Sequence, residues 1–304
     1  APDAPTRPDR AMAEPISMAL VVGAGTMGRG IAQLAAQRGL EVRLFDAAPA
    51  QVERAVSDVT KQLERLVSKG KLTGAEQSRA LARLRPASDL GSACADVDVV
   101  IEAAPELMDL KVKLFSEARE ASPPHALLGS NTSSLSITEI GQRSGAPERV
   151  VGLHFFNPPP VMPLLEIVRG LGTCDAVVDR ALELAARPGK DPIVVRDFPG
   201  FASSRLGVIL GAEAMRMLET GVASAQDIDR AMELGYRHPM GPLKLTDLVG
   251  LDVRLAILEH LHRELGEQFR PPAILRQMVR AGRLGKKVGL GFYRWTDDGP
   301  QPTE

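Results

Sequence analysis

The run Gly23-Ala24-Gly25-Thr26-Met27-Gly28 follows the apolar segment Met18 to Val22 and leads into a helical pattern at Ile31, Leu34 and Ala35, stopped by Gly39. Strand, glycine turn and helix in that order make a dinucleotide-binding crossover, which commits the N-terminal half of the chain to a parallel sheet. Gly23 serves the tight turn, Gly25 lets the backbone approach a pyrophosphate, and Gly28 lets helix and strand pack closely. Together with Thr26 and Met27 they open a helix whose unpaired N–H groups would meet the phosphates. A second apolar strand, Glu41 to Phe45, closes at Asp46, 18 residues after Gly28. An acid at that point accepts from ribose hydroxyls and repels a 2′-phosphate, so NAD is the expected cofactor in preference to NADP. Arg43, on the other face of that strand, reads as a surface charge.

Beyond this unit, Val52, Val56, Val59, Leu63 and Leu66 recur at helical spacing and predict a long amphipathic helix over 50–69. Thr73 and Glu76 form a capping box for the next helix. Buried strands are expected at Val97 to Ala103, Ala126 to Ser130 and Val150 to Phe155. Leu164 to Val168 and Ile193 to Val195 extend the sheet, with a helix around 175–187 between them. The alternation implies a Rossmann-type, doubly wound, mostly parallel α/β sheet. After Asp197-Phe198-Pro199-Gly200 only helical apolar stripes recur, so an all-α second domain is expected over 198–304, following a nucleotide domain over 18–197. Residues 1–17, proline-rich and without an apolar core, read as a disordered tail, with Met18 a candidate natural start.

A net charge of −1 provides no global field for nucleic acid or an anionic membrane, so anion binding must be local. No run approaches the length needed to span a bilayer. Cys94 and Cys174 are too few for a disulfide framework and fit a reducing cytoplasm. No metal site is expected.

Of five histidines, His125 follows two prolines in a loop, His238 precedes Pro239, and His260 and His262 lie on a charged helix. Only His154 ends a buried strand on the side where doubly wound sheets bind ligands, which suits a general base for oxidising an alcohol. Glu166, 12 residues on within Leu164-Leu165-Glu166-Ile167-Val168, is placed to orient the imidazole, although the spacing leaves an edge-strand charge facing solvent equally open. Ser133 lies in Asn131-Thr132-Ser133-Ser134, a cluster that also suits a capped helix start.

Taken together, Asn131-Thr132-Ser133-Ser134, His154-Phe155-Phe156-Asn157-Pro158 and the following Glu166 resemble the signature of L-3-hydroxyacyl-CoA dehydrogenases, over essentially residues 19–294. The resemblance implies that Ser133 contacts the reacting C3 oxygen, His154 is the base, Glu166 supports it, and Asn157 contacts the nicotinamide side. It further implies that Ala103, Glu106 and Lys111 line the cofactor and coenzyme A, that Lys287 reaches the nicotinamide half, and that Lys69 lies near the CoA phosphates. Without the resemblance, Glu106 and Lys111 read as a solvated helical turn, and Lys69, with Lys61 and Lys71, as a solvated face. One position departs from the pattern: where the family carries asparagine before an arginine, Phe201-Ala202-Ser203-Ser204-Arg205 carries Ser204, a shorter group with fewer polar atoms.

The activity implied is reversible NAD-dependent oxidation of an (S)-3-hydroxyacyl-CoA, short-chained as in 3-hydroxybutyryl-CoA, by a homodimer paired through its α-helical domain. Two other readings stand beside it: a non-catalytic, crystallin-like relative that binds NAD, and a dehydrogenase of free hydroxyacids.

Overall fold

The computed structural model describes residues 15–187 and 189–303. They divide into two compact units, one ending at Asp197 and the other beginning at Phe198. The expected tail falls mostly on residues 1–14, outside the described ones. Its last two residues already belong to the fold. Ile16 is fully buried, its N–H donates to Glu183 at 3.2 Å, and the N–H groups of Ser17 and Met18 converge on Asp98 Oδ2 at 2.7 and 3.0 Å.

The first unit runs β1 (Met18–Val22), α1 (Thr26–Gln37), β2 (Glu41–Phe45), α2 (Pro49–Ser68), α3 (Gly74–Arg83), β3 (Leu84–Ala87), α4 (Leu90–Cys94), β4 (Val99–Glu102), α5 (Met108–Ala121), β5 (Leu127–Ser130), α6 (Ile137–Arg143), β6 (Val150–Phe155), β7 (Leu164–Arg169), α7 (Asp175–Ala186) and β8 (Asp191–Arg196). The eight strands order as β3-β2-β1-β4-β5-β6-β7-β8. All neighbours are parallel except β6 and β7. The order reverses between β1 and β4, and ligands of such sheets bind beyond the carboxyl ends of the strands at that point.

Local chemistry explains the element ends. Pro49 starts α2 at a position whose N–H would have no partner in any case. Thr73 and Glu76 cap α3 reciprocally, the Thr73 N–H donating to Glu76 at 2.8 Å and the Glu76 N–H to Thr73 Oγ1 at 3.2 Å. Central strands β1, β4 and β5 are buried on both faces, as continuous apolar runs in a covered parallel sheet must be. Arg43 is more than a surface charge: it pairs with Asp96 and donates to the Ala93 carbonyl at 3.0 Å, tying β2 to the end of α4.

The second unit packs α8 (Ser203–Glu219), α9 (Ala225–Gly235), α10 (Pro242–Val249), α11 (Leu251–Leu265) and α12 (Ala273–Arg280) around Val208, Met215, Leu243, Leu258 and Leu275. It also carries a small antiparallel hairpin, β9 (Tyr293–Thr296) and β10 (Gly299–Pro302), which helical periodicity did not foresee. Buried Asp247 of α10 fastens the hairpin by accepting from the Phe292 N–H, the Tyr293 N–H and Trp295 Nε1, each at 2.9 Å. Among the described residues, no helix is long and apolar enough to cross a membrane.

Candidate active site

The loop after β1 has no room for side chains at two of its glycines and open room at the third. Gly23 has φ of +102°, and a Cβ there would meet the Ala103 carbonyl oxygen at 2.6 Å. A Cβ on Gly28 would stand 1.7 Å from the Gly23 carbonyl oxygen. A Cβ on Gly25 would meet nothing within 4 Å. Gly25 is also the N-cap of α1, where no side chain caps the helix and no acid sits in the first turn. The positive end of α1 therefore faces open space beside a backbone cradle, an arrangement that fits a pyrophosphate.

This cradle forms one wall of a cavity of about 620 Å³ lined by Gly23, Gly25, Thr26, Met27, Asp46 and Ala103, among others. Asp46 Oδ2 accepts from the Ala24 N–H at 2.8 Å and Oδ1 from the Ala48 N–H at 2.9 Å, so the carboxylate is held at the end of β2. The residues present thus fit an adenine dinucleotide with free ribose hydroxyls.

Lys111 differs from its expected place. Its side chain is only 1% exposed, and the ammonium lies 2.6 Å from Glu102, 3.3 Å from Glu106 and 3.4 Å from the Ala104 carbonyl. It holds up the loop from behind, and the solvated turn that its spacing alone suggested is not what the fold makes of it. Glu102, whose other oxygen accepts from Ser130 Oγ at 2.7 Å, was not singled out in the sequence, yet an acid ending the apolar run Val99-Val100-Ile101 nine residues before a lysine was the signal. Removing either partner of such a buried pair costs about 3–5 kcal/mol. Glu106 accepts from Thr132 Oγ1 at 2.5 Å, from the Ser133 N–H at 3.0 Å and from Ser134 Oγ at 3.2 Å, fixing the Ser133 loop. Burial alone would raise the Glu106 carboxyl, but the Lys111 ammonium and these donors outweigh it and hold the group below the ordinary glutamate range.

The antiparallel turn from β6 to β7 sets His154 directly opposite Glu166 in register. His154 is 7% exposed and Glu166 fully buried, and Nδ1 lies 2.7 Å from Glu166 Oε2. The carboxylate fixes the proton on Nδ1 and leaves Nε2 as the basic nitrogen, while the Phe156 ring covers the imidazole at 4.5 Å. Asn131 Oδ1 accepts from the Phe155 N–H at 2.9 Å and ties the Ser133 loop to the same strand. The exposed Asn157 is the second residue of the loop after β6. That loop is clamped from both sides. Pro159 rests on Gly30 of α1, where a Cβ would meet Pro159 Cδ at 2.8 Å, and the buried Lys190 ammonium donates to the carbonyls of Pro159 and Met162. Burial lowers the Lys190 ammonium, and the two carbonyls offset that cost. Lys190 was also unforeseen.

The first unit therefore brings together the glycine loop, Asp46, Ala103, the Glu106-anchored Ser133 loop, and the His154–Glu166 pair. Lys69 is exposed at the end of α2. Ser204 and Lys287 belong to the second unit: Ser204 is half-buried in the first turn of α8, and the Lys287 ammonium lies 2.6 Å from each Asp252 oxygen.

Comparison with known proteins follows this geometry closely. Residues 18–198 match the model of the 3-hydroxyacyl-CoA dehydrogenase NAD binding domain, and residues 200–295 match that of the 3-hydroxyacyl-CoA dehydrogenase C-terminal domain. A probable 3-hydroxybutyryl-CoA dehydrogenase of Bacillus subtilis is 44% identical, over 93% of this chain and 98% of its own length. A 3-hydroxyadipyl-CoA dehydrogenase of Escherichia coli is also 44% identical, over 90% of this chain and 58% of its own length. The crystal structure of (S)-3-hydroxybutyryl-CoA dehydrogenase from Ralstonia eutropha superposes with a TM-score of 0.88 at 42% identity, covering 93% of this chain and all of that one. A buried His–Glu pair beside a dinucleotide cradle, in a chain that both domain models match in order, places the protein in the 3-hydroxyacyl-CoA dehydrogenase family.

Proposed function

We propose that this NAD-dependent enzyme oxidises short-chain (S)-3-hydroxyacyl-CoA thioesters, such as 3-hydroxybutyryl-CoA, with His154 as the base. The observation that carries the assignment of the base is the His154–Glu166 pair, since an imidazole held by a buried carboxylate at Nδ1 is set up to take a proton at Nε2. The C3 hydroxyl proton passes to His154, and Glu166 stabilises the imidazolium that results. Ser133, in a loop pinned by Glu106, donates to the C3 oxygen and orients the substrate, and Ser204 takes the place of the family asparagine at the carbonyl side. NAD supplies the hydride acceptor. Asn157 and Lys287 are assigned to its nicotinamide side, and Lys69 to the CoA phosphates. The exposed apolar side chains Leu206, Leu234 and Tyr236 of the second unit support pairing with a second copy, and the two free cysteines support a reducing cytoplasm.

Loss of NADH absorbance on mixing with acetoacetyl-CoA tests the reading; no turnover with this or a longer 3-ketoacyl-CoA overturns it. Cofactor choice follows from Asp46, whose carboxylate would face a 2′-phosphate without a compensating cation. The KM for NADP is expected to exceed that for NAD at least about tenfold, the cost of one unfavourable charge contact. Equal values would remove Asp46 from the ribose site.

A further inference from the structure

Lys190 is 7% exposed, and among the described residues no carboxylate accepts from its ammonium; its partners are the main-chain carbonyls of Pro159 and Met162. Burial first, and the Arg38 guanidinium second, work against that charge. A methionine would fill much the same space without the desolvation cost, so packing alone does not account for an ammonium here. What the charge adds is grip, since a charged donor holds a carbonyl about twice as strongly as a neutral one. The lysine is itself anchored: its N–H donates to the carbonyl of fully buried Ala185 at 3.1 Å, and it leads directly into β8.

The segment it grips, residues 156–163, joins the strand of His154 to the strand of Glu166. Within it only Pro159 is buried, and Val161 is 71% exposed, so the loop has little apolar packing to fix its place. Hydrogen bonds do that instead. The Val161 and Met162 N–H groups close on the Pro158 carbonyl at 2.9 and 3.0 Å, and the Asp191 N–H donates to the Pro163 carbonyl at 2.9 Å. Lys190 supplies the donors for the carbonyls of Pro159 and Met162 between them. The Pro159 ring also meets α1, the helix whose N-terminus forms the cradle, at Gly30, where a Cβ would stand 2.8 Å from Pro159 Cδ. Phe156, the first residue of the loop, packs on the His154 imidazole. One loop therefore touches the cofactor helix at Pro159 and the imidazole at Phe156.

We propose that Lys190 is a positioning residue for the reaction: through the Pro159 and Met162 carbonyls it holds the 156–163 loop against α1 and the His154 ring, and so fixes the imidazole relative to the cofactor cradle. The inference rests on the reading of His154 as the base. A base acts only within hydrogen-bond reach of the proton it removes, and a displacement of about 1 Å costs about 10²-fold in rate. The ammonium donates to main-chain carbonyls, so its effect reaches the chemistry through the loop.

The test measures kcat, the KM for acetoacetyl-CoA and the dissociation constant of NADH in wild type, Lys190→Met, Lys190→Arg, Gly30→Ala and the double variant of Gly30→Ala with Lys190→Met. Lys190→Met is expected to lower kcat by about 10- to 100-fold while KM and NADH affinity stay within about threefold of wild type. Lys190→Arg keeps charged donors and should recover part of the loss. A role in stability alone would lower the melting temperature and leave kcat of the folded enzyme near wild type, which overturns the proposal. Gly30→Ala pushes on Pro159, whose rigid ring cannot turn aside, and with the loop still clamped it should lower kcat by about tenfold. With the clamp released the loop can yield, so the double variant should be slower than Lys190→Met by no more than about threefold. Single effects that multiply in the double variant overturn the proposal. Should Lys190→Met not fold, Gly30→Ala decides alone, and an unchanged kcat there overturns it. Turnover lost in His154→Gln but kept in Lys190→Met overturns this inference alone; turnover kept in His154→Gln overturns the assignment of the base, and this inference with it.

Discussion

His154→Gln is expected to lower kcat with 3-hydroxybutyryl-CoA by about 10³-fold while the dissociation constant for NAD stays within a few-fold of wild type, general base catalysis being worth about 10²–10⁴ in rate. Glutamine preserves much of the shape and can still donate to Glu166, but it offers no basic nitrogen at the position of Nε2. Removal of the base leaves orientation and cofactor placement in force, so a residual rate remains. Glu166→Gln should cost less, because the imidazole persists and loses only the fixed proton on Nδ1 and the stabilised imidazolium. The pair also predicts strong non-additivity. Glu166 acts on the reaction through His154, so the double variant should be no slower than His154→Gln by more than about threefold. Rates within tenfold of wild type for His154→Gln would remove it as the base. A double variant slowed by the product of the two single effects would show that Glu166 acts on the substrate independently.

The sequence made that histidine visible more easily than its partner's geometry. His154 ends a buried strand, whereas Glu166 could have faced solvent until the antiparallel turn from β6 to β7 set it across from the imidazole. That turn is a single reversal within a parallel sheet, and it arises over Pro158, Pro159 and Pro160, where hydrophobic periodicity falls silent. The glycine loop, the α2 helix and the α3 cap were legible because their chemistry is local in the chain. The burial of Lys111 is not legible in the sequence because it depends on Glu102, an acid on another element whose side-chain direction no spacing rule fixes. Strand β3 escaped notice because Leu84-Arg85-Pro86-Ala87 lacks an apolar run, which only an edge strand tolerates. The final hairpin carries a local signal, Asp298-Gly299 after Tyr293-Arg294-Trp295, but its strands are four residues each and alternate too briefly to stand out against the helical stripes before them.

Gly28→Ala and Gly25→Ala separate what the glycine loop does for the fold from what it does for the cofactor. At Gly28 the added methyl would fall 1.7 Å from the Gly23 carbonyl oxygen, and no rotamer relieves it because Cβ is fixed by the backbone. Gly23 cannot retreat: its own Cα is turned against the Ala103 carbonyl, and its N–H donates to the Phe45 carbonyl at 2.8 Å. The strain must move α1 off the sheet, at a cost of about 1–3 kcal/mol or more. A lower melting temperature and loss of NAD binding are both expected. At Gly25 the methyl meets no protein atom within 4 Å, so the melting temperature should stay near wild type. The same methyl occupies the space in front of the uncapped end of α1, where a phosphate would have to approach the N–H groups, and NAD affinity is expected to fall about tenfold or more. Calorimetric melting and NAD titration of the two variants read this directly. Unchanged NAD affinity in a stable Gly25→Ala protein would move the pyrophosphate away from this helix end, and an undisturbed Gly28→Ala protein would contradict the close crossing of α1 over β1 on which the cradle depends.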